Sequence, residues 1–212
     1  MKLLYSVSLI LSIITGFVFG GLVFKKSRTD TYLFSRVLAS HKSDNCFSEG
    51  VSGTPVTLIE YSDIECPYSS KNQHVIKRLL EKYKNRIKYH YRNFPLSFHK
   101  NAVVLAKAVN AANVQGKGKE MRDILFAMNS YGDVKESVHG VAQGIDIDYE
   151  KFCEYMSSPE ADEDLRTEIT DGKMNGVRST PTVFINGYLI KGVVGFDVYS
   201  IVIEKLLSRA RS

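Results

Sequence analysis

The stretch Glu65-Cys66-Pro67-Tyr68-Ser69-Ser70 constrains this chain more than any other, because an apolar strand runs into a helix there. Just upstream, Val56-Thr57-Leu58-Ile59-Glu60-Tyr61 is a short, β-branched run that reads as a buried strand. Downstream, Val75, Ile76, Leu79, Leu80 and Tyr83 recur at helical spacing, which predicts a helix from near Cys66 to near Asn85. Pro67 suits the first helical position, where its missing N–H would have no intrahelical partner. Cys66 then becomes the N-cap, facing unpaired amide N–H groups and the positive end of the helix dipole. A sulfur in that setting is favoured as the thiolate, the form that attacks disulfides.

The rest of the chain supplies a framework for this junction. Ile87–Phe94 alternates apolar and polar residues and reads as a second strand, ended by Pro95. A helical block follows. Ala102, Leu105, Ala106, Val109 and Ala112 mark one helix with Gly116 as its stop, and Met121, Ile124, Leu125 and Met128 mark the next. Asp133–Gln143, Asp148–Met156 and Pro159–Met174 are further helical candidates. The pattern then returns to strands: Thr182–Ile185 and Tyr188–Ile190 flank Asn186-Gly187, the signature of a type I′ hairpin. Val198, Ile201, Val202 and Leu206 predict a final helix ending near Arg209.

At 212 residues and 44% apolar content the chain has room for one domain with a real core, and it is not disordered. Its net charge of +5 is misleading, because four of the basic residues (Lys2, Lys25, Lys26 and Arg28) precede the first acid, Asp30. The remainder carries 24 basic residues against 23 acidic ones, so no basic face for nucleic acid follows. Leu3–Phe24 holds 22 residues without a charge. As a helix it would reach roughly 33 Å, enough for a hydrocarbon core of about 30 Å. It is read as an uncleaved single-span membrane anchor in preference to a signal segment or a buried core helix. Residues 25–54 have little periodicity and read as a linker, with a short helix around Tyr32–Ser40.

With the motifs in place, Cys66-Pro67-Tyr68-Ser69 resembles the Cys-x-x-Cys active site of thioredoxin-fold oxidoreductases, in the Cys-Pro-Tyr form of the DsbA family. Arg92-Asn93-Phe94-Pro95-Leu96, His99, Ala102 and Gln115-Gly116-Lys117 resemble that family's segment after the second strand. Ser179-Thr180-Pro181-Thr182-Val183-Phe184 resembles its segment with a cis-proline. The resemblance runs from about Pro55 to Leu207 and departs slightly at Gly118 and Lys119, where relatives carry an aromatic residue. It implies an α/β fold, thioredoxin-like with a central helical insertion, preceded by the N-terminal hydrophobic helix. The organisation is then 1–28 as anchor or signal segment, 29–54 as linker and 55–212 as the DsbA-like domain, with the insertion at about 100–176.

The resemblance also assigns roles. Cys66 becomes the nucleophile, the alternative being an inert buried cysteine. Pro67, Tyr68, Thr180 and Pro181 become the substrate groove, with Pro181 in a cis bond beside Cys66 and the Thr180 backbone pairing with an extended substrate. An ordinary trans proline opening a strand is the alternative. Glu60, six residues before Cys66, takes the place of the acid that thioredoxin-like folds bury beneath the active site, where it would pass protons. Otherwise it is a strand residue facing solvent.

The departure that matters most is Ser69, which stands where a second cysteine would resolve the mixed disulfide internally. Its hydroxyl can still donate to the Cys66 thiolate. The expected species is a mixed disulfide with a cysteine-containing exported protein, or with glutathione or another thiol, released only by a further thiol.

No cofactor is implied. Three cysteines allow a structural Cys46–Cys153 bridge, a resolving role for Cys46 or Cys153, or unpaired thiols, and they lack zinc-site spacing. None of the five histidines stands at a telling interval from an acid, so His99 reads as capping or packing and Tyr89–Tyr91 as core. Lys25, Lys26 and Arg28 outnumber Lys2, so charge alone would keep the domain cytosolic. The resemblance implies a periplasmic or extracytoplasmic domain tethered to the inner membrane by residues 3–24, and that reading is adopted. A redox-silent thioredoxin-fold module that binds polypeptides, as a chaperone would, is the alternative function.

Overall fold

The computed structural model describes residues 47–128 and 131–210. The apolar segment 3–24, the short helix expected near 32–40 and Cys46 lie outside the described residues. Among the described residues no helix is long and apolar enough to cross a membrane.

Strand β1 (Ser48–Gly50) precedes β2 (Val56–Ser62), helix α1 (Pro67–Lys82) and β3 (Ile87–Asn93). The helical block is α2 (Ala102–Asn113), α3 (Gly118–Ala127), α4 (Val134–Gly144), α5 (Tyr149–Ser157) and α6 (Pro159–Met174). The chain returns through β4 (Thr182–Ile185), β5 (Tyr188–Lys191) and α7 (Phe196–Arg209). The strands form one sheet in the order β1-β3-β2-β4-β5, in which β2 and β3 are parallel and every other pair antiparallel. This is the expected α/β architecture with its insertion between β3 and β4.

Side-chain alternation along β2 decides which helix each residue meets. Leu58 joins the larger core, together with Ile76 and Leu79 of α1 and Val202 and Ile203 of α7. Ile59 and Tyr61 point the other way and pack with Phe94, Val177 and Phe184. Glu60 shares the face of Leu58 and therefore lies under α1. Gly172 of α6 is needed on the opposite face, because a Cβ there would come within 2.7 Å of the Phe94 ring and 3.0 Å of Tyr61.

Local chemistry explains the element boundaries. In the insertion, Asp133, Asp148 and Ser158 cap α4, α5 and α6 by accepting hydrogen bonds from first-turn amides, and Pro159 opens α6. Asn186 and Gly187 both adopt positive φ (47° and 82°), as a type I′ turn requires. Asn186 also fastens the hairpin to the start of β2, accepting from the Thr57 N–H at 2.7 Å and donating to the Pro55 carbonyl at 2.8 Å.

One element was not expected. The stretch read as linker ends in β1, an edge strand paired with Lys88, Tyr89 and His90 and anchored by Phe47 stacked on Tyr91 at 5.1 Å.

Candidate active site

Cys66 is the N-cap of α1, with extended backbone angles (φ −81°, ψ 117°) and Pro67 in the first turn. The helical ladder starts with the Ser70 N–H donating to the Cys66 carbonyl at 3.1 Å. Pro67 has no N–H, so the amides of Tyr68 and Ser69 have no intrahelical acceptor. The first turn of α1 contains no acidic residue to compete for that positive end. Cys66 is 4% exposed, and its sulfur in protonated form donates to the Thr180 carbonyl at 3.5 Å. The Thr180–Pro181 bond is cis. Residues 114 apart in sequence therefore meet as expected, Cys66 at the helix tip and the Thr180-Pro181 loop against it. Pro67 and Tyr68 are exposed at the same tip, with Tyr68 59% accessible.

Ser69 is fully buried and accepts from the Asp63 N–H at 3.3 Å. That bond occupies Ser69 as an acceptor and leaves its own proton to be donated. Asp63 shapes the approach to Cys66: its carbonyl accepts the Cys66 N–H at 3.0 Å and its carboxylate accepts the Glu65 N–H at 2.9 Å. The same carboxylate meets His99 Nδ1 at 2.8 Å. Sequence spacing gave no hint of this pair, because 36 residues separate its members.

Glu60 is wholly buried, which excludes the solvent-facing alternative. Asn72 donates to it at 3.0 Å, Gln73 at 3.0 and 3.2 Å, and the Tyr89 hydroxyl at 2.5 Å. Burial pushes its carboxyl above the usual range, while these hydrogen bonds and the Arg122 charge pull it back. Tyr89 and Tyr91 are core residues as expected, and Tyr89 additionally serves Glu60.

Of the other two cysteines, Cys46 lies outside the described residues. Cys153 is a free, partly exposed thiol on α5, 3.8 Å from His139 Nδ1. Among the described residues no cluster of His, Cys, Asp and Glu could hold a metal ion.

A second buried acid was missed by sequence reading. Glu168 on α6 is fully buried, accepts the Asn93 backbone N–H, and accepts from Asn110 Nδ2 at 2.8 Å. Burial raises it to about 7, against the opposing pull of those bonds and of Arg92.

Residues 43–205 match the family described as Thioredoxin. The chain belongs to that thioredoxin family. Two solved structures define the branch of the fold. The structure of α-DsbA1 of Wolbachia pipientis superposes with a TM-score of 0.71 at 18% identity, over 83% of this chain and 98% of its own. A thioredoxin-like oxidoreductase from Silicibacter pomeroyi superposes with a TM-score of 0.68 at 22% identity, over 80% and 94%. This thioredoxin-family chain thus has the DsbA-like fold, including its helical insertion. A curated relative, Na(+)/H(+) antiporter NhaA 1 of Salinispora arenicola, is 30% identical over 164 residues, which are 76% of this chain and 25% of the antiporter. The chain spans about a quarter of the length of the curated relatives it matches.

Proposed function

We propose that this thioredoxin-family domain exchanges thiols and disulfides through Cys66 alone. The observation that carries the reading is the meeting of one sulfur, the open N-terminus of α1 and the cis Thr180–Pro181 loop, with Ser69 in the first turn where a second thiol would stand. In the first step the Cys66 thiolate attacks one sulfur of a substrate disulfide, forming a mixed disulfide and releasing the other sulfur as a thiolate. In the second step an external thiolate attacks the mixed disulfide, leaving a new disulfide and restoring Cys66. Glu60, under the same helix, is the group that takes or returns the protons of these steps through its side-chain partners. Pro67, Tyr68, Thr180 and Pro181 line the approach, and the Thr180 backbone pairs with an extended substrate strand.

The substrates of this reading are cysteine-containing exported polypeptides, with glutathione or a similar thiol as the releasing partner. Residues 3–24 tether the domain to the inner membrane, on its extracytoplasmic side.

A second reading is favoured by one observation. Cys66 is only 4% exposed and lacks a resolving cysteine, as in a domain that binds polypeptides without redox chemistry. Mass spectrometry of the native protein, before and after glutathione disulfide, separates the two. A glutathione adduct on Cys66, removed by added thiol, is expected; an unreactive Cys66 makes the domain a binding module. Ser69→Cys sharpens the test. It should confer net dithiol oxidation that the parent lacks, at a rate at least about tenfold higher, and an inert Ser69→Cys protein means that the surroundings of Cys66 no longer support exchange.

A further inference from the structure

Phe98 is 75% exposed, on the segment between β3 and α2. A solitary surface ring means little in itself. This one differs in how its segment is held. On one side the Leu96 N–H donates to the Asp63 carboxylate at 2.7 Å, and His99 Nδ1 meets the same oxygen at 2.8 Å. On the other, Asn101 binds the Glu65 carboxylate twice, through its N–H at 2.7 Å and its Nδ2 at 3.0 Å. Asp63 and Glu65 are the residues that turn the chain into Cys66. Phe98 is therefore pinned to the Cys66 loop from both flanks, through the carboxylates of two residues just before Cys66, one of which, Asp63, also accepts the Cys66 N–H through its carbonyl.

The ring itself is also set. The His99 imidazole packs edge-on against it, with centroids 4.5 Å apart and planes at 69°. A ring already fixed in place loses little freedom when a partner covers its open face. The bonds that hold His99 are spent on orienting a residue with no core to fill.

We propose that Phe98 determines specificity at this site, giving preference to polypeptide disulfides with an apolar side chain beside the cysteine over glutathione disulfide. The inference rests on the exchange reading of Cys66. Glutathione is small, polar and charged, and offers a ring of this kind almost no apolar surface. A polypeptide engaged at Cys66 carries neighbouring side chains past the clamped segment. One well-covered apolar group changes relative rates by about tenfold.

The test uses two short peptides that differ only in Leu or Ser beside a single cysteine, each activated as a mixed disulfide with thionitrobenzoate. Cys66 attacks the peptide sulfur and the coloured thionitrobenzoate anion leaves, so the rate is read directly. The protein should react about tenfold faster with the Leu peptide than with the Ser peptide. In Phe98→Ala that ratio, and the ratio of the Leu peptide to glutathione disulfide, should fall to within about twofold of unity relative to the Ser series. Ratios unchanged by Phe98→Ala overturn the proposal. If no disulfide reacts with Cys66, the exchange reading fails, and the role of Phe98 is decided by binding. The affinity of Cys66→Ala for the fluorescently labelled Leu peptide should then weaken about tenfold on adding Phe98→Ala, and equal affinities overturn the inference.

Discussion

Glu60 and Glu168 are both wholly buried, Glu60 beneath α1 and Glu168 where α6 meets the ends of β3 and α2. Both carboxyls are raised by burial. Their partners differ in kind. Glu60 is held by side chains alone among its hydrogen-bond donors: Asn72, Gln73 and Tyr89. Gln73, and Arg122 which reaches Tyr89, also line an open groove of about 1020 Å³ between α1, α3 and β1. The groove therefore comes within one side chain of the acid. Glu168 instead accepts a backbone amide of the sheet and ties it to Asn110 of the insertion. A carboxylate held by side chains beside a groove can exchange protons; one bonded to backbone holds two layers together. On the proposed reading, the same buried residue type serves chemistry on one face of the sheet and assembly on the other.

Glu168→Ala should break the comparison with the largest effect. It strands the Asn93 N–H and the Asn110 amide in the core and leaves a void, for a loss of about 3 kcal/mol in chemical denaturation. Glu60→Ala should cost less, because it strands no backbone group and the partly exposed Gln73 can turn toward solvent.

The next effect is pH dependence. Glu168 rises from 4.5 to about 7 on folding, so between those values the native state holds a proton that the unfolded chain has lost. Stability should therefore fall as pH rises through that window, by at most about 3 kcal/mol from this group, and level off above it. Glu168→Gln should flatten that slope, as measured by denaturation at a series of pH values. Glu60 acts with the same sign, and the slope that survives in Glu168→Gln should contain its share.

The smallest change in stability, and the most informative, belongs to Glu60→Gln. The fold should survive within about 1 kcal/mol, while thiol exchange at Cys66 slows roughly 10- to 100-fold with an altered pH–rate profile. A profile identical to that of the parent would make Glu60 as structural as Glu168.

The part of the site that was legible in the sequence is the part made by neighbours along the chain. Cys66-Pro67 after a β-branched strand fixes the N-cap of α1, and Asn186-Gly187 dictates its hairpin, because each local pattern admits one backbone conformation. The Thr180–Pro181 contact came from family resemblance. Spacing alone carries no information about residues 114 apart. Glu168 was invisible for a related reason. It sits in Pro159-Glu160-Ala161-Asp162-Glu163-Asp164, running on to Thr167-Glu168, a stretch so acidic that it reads as a solvated face. Only the fold distinguishes the one acid turned inward. Strand β1, three residues long and holding Gly50 at φ 94°, falls below the length at which alternation can be recognised. His99 entered only through the family resemblance, as a capping or packing residue, and Phe98 had no signal, since the meaning of both depends on Asp63 across the β2–β3 crossover.

The Thr180 carbonyl has two claimants. It stands 3.5 Å from the Cys66 sulfur, as acceptor when that sulfur carries a proton. On the exchange reading, a guest polypeptide laid along the proline loop would need the same oxygen for its own amide, so thiol and guest would compete for one acceptor.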